Sequence, residues 1–260
     1  MTSPLTSRPG PLDLFDLSGK VAVVTGGSRG LGRQMVLAFA QLGADVVIAS
    51  RKLEECRKTA AEVEALGRRA LPVACHVGYW DQCDQLIDTA YDHFGRIDIL
   101  VNNAGMSPLY DSLVDVGEAL FDKVVDVNLK GPFRLMAYGG HRMHEAGAGV
   151  IINVSSTASV KPTPTEAAYS AAKSGLNALT VAFAHEYGPE VRVNCIMAGP
   201  FFTDISKAWD MEEFAERVQN NLALQRGGEP EEVVGAAIYF ASAASTFCSG
   251  AVLRLDGGGS

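Results

Sequence analysis

Cysteine is scarce in this chain, basic charge is outnumbered and long apolar runs are missing, and each shortage removes a class of protein. The five cysteines (Cys56, Cys75, Cys83, Cys195, Cys248) lie scattered without a Cys-x-x-Cys pair. An odd, dispersed set reads as the reduced thiols of a cytoplasmic protein and excludes a disulfide framework or a cysteine-ligated zinc site. A formal net charge of -8 argues against a surface for nucleic acid or any other polyanion. No stretch reaches the length of a membrane span, so no membrane partner is expected. The first residues lack the apolar h-region of a secretory signal. His141 and His144 stand three apart on an expected helix, but no third ligand has recognisable spacing and no metal is expected.

What is abundant is glycine, with 27 residues in 260, and its placement is informative. From Lys20 onward, short apolar runs alternate with helical patterns. The runs are KVAVVTGG (20–27), ADVVIAS (44–50), ALPVACHV (70–77), IDILVNNAG (97–105), GVIINVSS (149–156), VRVNCIM (191–197) and AVLRLDGG near the C-terminus. Between them, helices are expected over 31–42, 52–66, up to Phe94, Val116–Glu145 and Ala167–Tyr187. Near-continuous apolar strands alternating with helices predict a parallel sheet of seven strands covered on both faces: a single doubly wound α/β domain of Rossmann type. Residues 1–16, rich in Ser, Thr and Pro, read as a loose arm before a domain over 17–260. Residues 200–228 break the alternation and hold Phe201, Phe202, Trp209, Met211 and Phe214, which suggests a lid above the sheet.

The first run passes directly into Thr25-Gly26-Gly27-Ser28-Arg29-Gly30-Leu31-Gly32. Gly-x-x-x-Gly-x-Gly between a strand and a helix is the context in which a glycine motif binds a dinucleotide. Gly26 serves the tight turn, Gly30 the approach of backbone to pyrophosphate, and Gly32 the packing of helix on sheet. Helix N-terminal N–H groups then face the phosphates. The second strand of such a fold usually ends in an acid that takes the ribose 2′-hydroxyl. This one ends in Ser50-Arg51. Arg51 and Arg29, with Ser28 and Ser50 and no acid at the tip, favour a 2′-phosphate and hence NADP(H).

Tyr169 and Lys173 are one helical turn apart on one face. A cation beside a phenol lowers its pKa toward the range useful for proton transfer. Together with Ser156 at the end of a strand, Asn103-Ala104-Gly105 at the end of another and Asn128 in VNLKG, the sequence closely resembles the short-chain dehydrogenase/reductase family of compact single-domain enzymes, including its 3-oxoacyl-carrier reductases. The resemblance covers residues 17–258. It implies that Tyr169 exchanges a proton with the substrate oxygen, that Lys173 binds the nicotinamide ribose and lowers the Tyr169 pKa, and that Ser156 hydrogen-bonds the substrate oxygen. It further implies that Asn128 anchors a water relaying protons through Lys173. Asn103, Ala104, Gly105, Val77, Gly199 and Thr203 correspond to cofactor contacts, and VLRLDGG to a strand used in tetramer packing.

Two positions depart from that family's pattern. His76 stands where an Asp usually meets the adenine edge, and Ala198 replaces a Pro, with Pro200 following Gly199. The function so implied is NADP(H)-dependent reduction of a ketone or 3-oxoacyl compound. An alcohol, sugar or steroid dehydrogenase running oxidatively is the alternative, and a non-catalytic NADP(H) sensor a more distant one. Arg134 matches a basic carrier-protein contact of some members, whereas His185 occupies the place of another. Lys161 and Glu166 fall between Ser156 and Tyr169, where substrate-facing residues are expected.

Overall fold

The computed structural model describes residues 10–204, 206 and 211–259. Seven strands form one sheet in the order β3-β2-β1-β4-β5-β6-β7, every pairing parallel. They are β1 (Val21–Thr25), β2 (Asp45–Ser50), β3 (Ala70–Ala74), β4 (Ile99–Asn102), β5 (Gly149–Ser156), β6 (Val191–Ala198) and β7 (Val252–Leu255). The unbroken apolar runs find their reason here. Side chains alternate between faces, and both faces are covered. Ala22, Val24, Val46, Ile48, Ile99 and Val101 join one core with Met35, Phe39 and Phe240. Their neighbours Val23, Val47, Ala49 and Leu100 join the other, with Leu86, Ile87, Met136 and Phe183. Each fully buried side chain of this size contributes about 2 kcal/mol.

Helices α1 (Gly30–Gln41), α2 (Leu53–Ala65) and α3 (Trp80–Phe94) follow the first three strands. The long helix expected over 116–145 begins two residues later and is not uniform. Segments α4 (Glu118–Val125), α5 (Gly131–Leu135) and α6 (His141–Glu145) are joined by π-type turns at Asp126–Lys130 and Met136–Gly140. Pro132 has no N–H to give the Asn128 carbonyl four residues back, so the ordinary α-helical bond cannot form there and the turn widens. Helices α7 (Ala167–Tyr187), α8 (Met211–Asn221) and α9 (Val234–Ala241) complete the chain.

Three expectations change at the margins. Strand β3 stops at Ala74, leaving His76 and Val77 in the loop beyond it. This strand has a neighbour on one side only and carries Pro72, which an edge tolerates. Within the expected arm, residues 1–9 lie outside the described residues, and Asp13–Phe15 form one 3₁₀ turn. Of the expected lid, Trp209 lies outside the described residues, while Phe202 and Phe214 meet edge to face with centroids 5.4 Å apart. The lid base is tied down by Phe201, bridged to Gly228, and by Leu222, bridged to Gly259. Among the described residues no helix is long and apolar enough to cross a membrane.

Strand order reverses between β1 and β4, and in such sheets the ligand crevice opens outside the carboxyl ends of the strands at that point.

Candidate active site

A cleft of about 640 Å³ occupies that position. Its lining gathers nearly every residue singled out from the sequence: Gly26, Ser28, Arg29, Gly30, Leu31, Ser50, Arg51, Val77, Asn103, Ala104, Gly105, Ser156, Tyr169, Lys173, Gly199 and Thr203. Gly32 and Asn128 sit just behind it.

The β1–α1 turn is built to bring backbone, not side chains, to the surface of the cleft. Gly26 adopts a left-handed φ of 66°, and a Cβ on Gly32 would stand 2.2 Å from the Gly26 carbonyl oxygen. Only glycine fits either place, which is the condition for a phosphate cradle at the start of a helix. The Asn103 side chain donates to the Thr25 and Gly26 carbonyls at 2.9 and 3.3 Å. It therefore braces the turn and presents backbone to the cleft. Thr25 Oγ1 accepts from both Asn103 N and Ala104 N, locking β1 to the end of β4.

At the tip of β2 the Ser28 hydroxyl donates to Ser50 Oγ at 2.9 Å. Arg51 lines the cleft and is exposed, and Lys52 adds a cation that the sequence reading passed over. Two carboxylates were missed as well. Arg29 is paired with Asp204 of the lid base at 2.9 Å, and Glu55, in the first turn of α2, faces the same end of the cleft while paired with Lys58. Glu55 was visible as an acid five residues past Ser50; the Arg29–Asp204 contact joins residues 175 apart and left no local trace. His76 lines the same cleft. Its Nδ1 accepts from Gly78 N at 3.1 Å, which leaves Nε2 to carry the proton of a neutral ring. Burial, followed by the charge of Arg51, holds its pKa below the usual histidine value.

Deeper in, β5 and α7 set the reacting groups. A buried ladder from Asn102 to Asn153 to Thr180, each bond 2.9 Å, pins β4, β5 and α7 together beneath the site. Ser156 ends β5 and lines the cleft with Tyr169, and its hydroxyl accepts from Ala158 N at 3.2 Å. Lys173 is 3% exposed and donates from Nζ to the Val154 carbonyl at 2.8 Å. Its ammonium lies 5.7 Å from the centre of the Tyr169 ring.

The electrostatics run against the simplest expectation. Burial pushes the Tyr169 phenol up to about 12, with the Ser156 hydrogen bond opposing and the Glu166 charge adding to it. Burial also pulls Lys173 down to about 8. The protein's own residues thus do not depress the phenol pKa, because desolvation dominates the shift.

Asn128 is fully buried on the π-type turn. Both of its amide hydrogens are spent, on Met106 O and Val124 O at 2.9 Å, and its Oδ1 accepts from Met106 N. The side chain clamps the segment after β4, so a relay water is left with the second lone pair of Oδ1 or the Asn128 carbonyl. A Cβ on Gly105 would stand 3.0 Å from that Oδ1 and 3.6 Å from Lys173 Nζ, which places both groups behind one glycine.

Away from the cleft, Arg134 is held by both oxygens of Asp84 and lies over the rings of Trp80 and Tyr138. His141 pairs with Glu145 and His144 with Glu190, and no cluster of potential metal ligands occurs among the described residues.

This crevice, with its glycine cradle and Ser-Tyr-Lys set, defines a dinucleotide-binding oxidoreductase of the doubly wound class. Residues 26–260 match the family model described as enoyl-(acyl carrier protein) reductase. The human dehydrogenase/reductase SDR family member 4 is 34% identical over 93% of this chain and 88% of its own length. A 7α-hydroxysteroid dehydrogenase complexed with NADH and 7-oxo glycochenodeoxycholic acid superposes with a TM-score of 0.92 at 28% identity, covering 96% of this chain and 98% of that one. The NADPH-dependent 3-quinuclidinone reductase of Rhodotorula rubra gives 0.90 at 27% identity, covering 99% and 98%. The chain belongs to the short-chain dehydrogenase/reductase family, oxidoreductases that act on carbonyl and alcohol groups with a nicotinamide cofactor.

Proposed function

We propose that the protein transfers hydride between NADP(H) and a ketone or secondary alcohol, in the direction of reduction. The observation that carries this is the convergence of Ser156, Tyr169 and Lys173 on the same cleft as the glycine cradle. The cradle fits a dinucleotide pyrophosphate by the close approaches at Gly26 and Gly32. Bound NADPH would supply the hydride, and its oxidised ring a positive charge near the phenol.

The chain's own residues do the rest. Ser156 Oγ holds the substrate oxygen, and Tyr169 gives it the proton as negative charge develops there. Lys173 Nζ, already donating to Val154 O, has two further protons to share between the ribose hydroxyls and the phenol. Asn128 keeps Gly105 and Met106 in place beside it. A panel of carbonyls with NADPH and NADH tests the reading. NADPH bound tightly but never oxidised by any of them would favour a sensor, and turnover confined to alcohols with NADP+ would favour the oxidative direction.

Arg29, Arg51 and Lys52 around the Ser28–Ser50 pair support the 2′-phosphate, against Glu55 and Asp204 as nearby acids. Arg51→Ala is expected to raise the KM for NADPH about ten-fold, the scale of one charge-assisted hydrogen bond, while leaving that for NADH little changed. A wild-type kcat/KM higher with NADH would overturn the preference.

The Arg134 guanidinium is paired with the Asp84 carboxylate and packed over Trp80 and Tyr138, which leaves little uncompensated charge for an acidic carrier protein. That favours a free ketone over a carrier-bound 3-oxoacyl substrate. We also propose a homotetramer. Strand β7 is a sheet edge, and Phe247 beside it is fully exposed with Leu253 partly so, leaving apolar surface that self-association would cover. Light scattering at micromolar concentration is expected to report four chains; a monomer would refute this.

A further inference from the structure

One charged group in the cleft has no role in the hydride chemistry beyond its effect on the Tyr169 phenol. Glu166 precedes α7 as its N-cap residue, three positions before Tyr169, and lines the cleft with Met106, Ser107, Leu109 and Phe201. An N-cap side chain ordinarily turns back to accept from the first N–H groups of its helix. This one makes no such bond. Its Oε2 instead accepts from the Ser107 hydroxyl at 3.3 Å, a long bond for two oxygens.

The remaining charges of the lining belong elsewhere. Arg29, Arg51, Lys52 and Glu55 come from the phosphate turn and the β2–α2 junction, and Asp204 is paired with Arg29. Lys173 Nζ donates to Val154 O and is not among the charges acting on Glu166. The cation that acts on Glu166 is Arg217 of α8, which is exposed and lies over the Phe214 ring. Burial raises the Glu166 carboxyl, only partly countered by Ser107, Thr163 and Arg217. A carboxylate half out of water and weakly partnered is stabilised by a cation that enters beside it and repels an anion. Its neighbours Met106, Leu109 and Phe201 would receive the apolar frame of the same ligand.

We propose that Glu166 determines the substrate class: the cleft takes carbonyl compounds, or the matching alcohols, that carry a positively charged nitrogen beyond the reacting carbon, and it turns away those that carry a carboxylate. This rests on the oxidoreductase reading above and adds to it the charge of the substrate.

Three cyclohexanone-sized ketones separate charge from shape: the 1,1-dimethyl-4-oxopiperidinium cation, its uncharged isostere 4,4-dimethylcyclohexanone, and 4-oxocyclohexanecarboxylate. Their binding to the protein saturated with NADP+ is measured by calorimetry, and their reduction by NADPH is followed in parallel. The cation is expected to bind about ten-fold more tightly than its isostere, on the scale of one partly screened ion pair, with the carboxylate weakest. The difference should appear in KM and not in kcat. Glu166→Gln should bring the cation-to-isostere ratio near one, and Glu166→Asp should preserve its sign. Equal binding of cation and isostere by the wild-type protein, which needs no variant to fold, would overturn the proposal, as would a Glu166→Gln variant that keeps the preference. Binding in the expected order without reduction of any ketone would sink the oxidoreductase reading and leave the Glu166 assignment standing. Reduction of all three at equal KM would do the reverse.

Discussion

Tyr169→Phe is expected to lower kcat by about a hundred-fold or more, the usual contribution of a positioned proton donor, while NADPH binding is retained. The ring stays in its packing; what goes is the one proton directed at the substrate oxygen. The effect should be large because nothing nearby can substitute. Ser156 Oγ is an aliphatic hydroxyl, a far weaker acid than a phenol, and it accepts from Ala158 N; Lys173 is 3% exposed and its Nζ donates to Val154 O. Since burial holds the phenol up at about 12 in the protein alone, its ionisation depends on positive charge nearby, which the oxidised nicotinamide ring would bring and the neutral reduced ring would not. The kcat profile for alcohol oxidation with NADP+ should therefore show a group titrating well below 12, and that limb should vanish in the variant. Near-full turnover by Tyr169→Phe, checked beside fluorescence titration with NADPH, would mean that another residue donates the proton.

The second large effect separates activity from stability. Lys173→Met should abolish most turnover, by about a hundred-fold or more as for the loss of a general acid–base partner, yet leave the cofactor-free protein at least as stable as the parent. Burial lowers the Lys173 pKa from 10.5 to about 8. The unfolded chain thus holds a proton between those values that the folded chain gives up, so this residue makes stability rise with pH across that window and costs most below it. The displacement corresponds to about 3 kcal/mol of unfavourable burial at neutral pH, offset by about 1 kcal/mol for the hydrogen bond to Val154 O. Methionine fills a similar volume without the charge. Thermal melts should show the variant's advantage at pH 7 and its disappearance as pH approaches 10.5. A marked drop in melting temperature at pH 7 would show that the ammonium is a net stabiliser in the cofactor-free protein. Both outcomes together would make Lys173 a stability–activity trade-off at one position.

Several features were legible because they are local. Unbroken apolar runs placed all seven strands, with β5 correct to the residue, because a strand buried on both faces has no polar side to show. The glycine turn could be read as a cradle because the need for glycine is a property of backbone sterics at that spot. Ser156, Tyr169 and Lys173 lie within eighteen positions on a strand and the following helix, so their convergence followed once those two elements were assigned.

Other features were settled only by tertiary structure. The Asn128 amide is consumed by Met106 and Val124, Arg29 is engaged by Asp204, and Arg134 is engaged by Asp84. Sequence spacing says nothing about which distant carboxylate or carbonyl a side chain will find. The direction of the pKa shifts likewise depended on how far the fold takes Tyr169 and Lys173 out of water. That quantity belongs to the closed surface of the fold: one-dimensional patterns fix which elements form and which faces they bury, whereas charges respond to every atom packed around them.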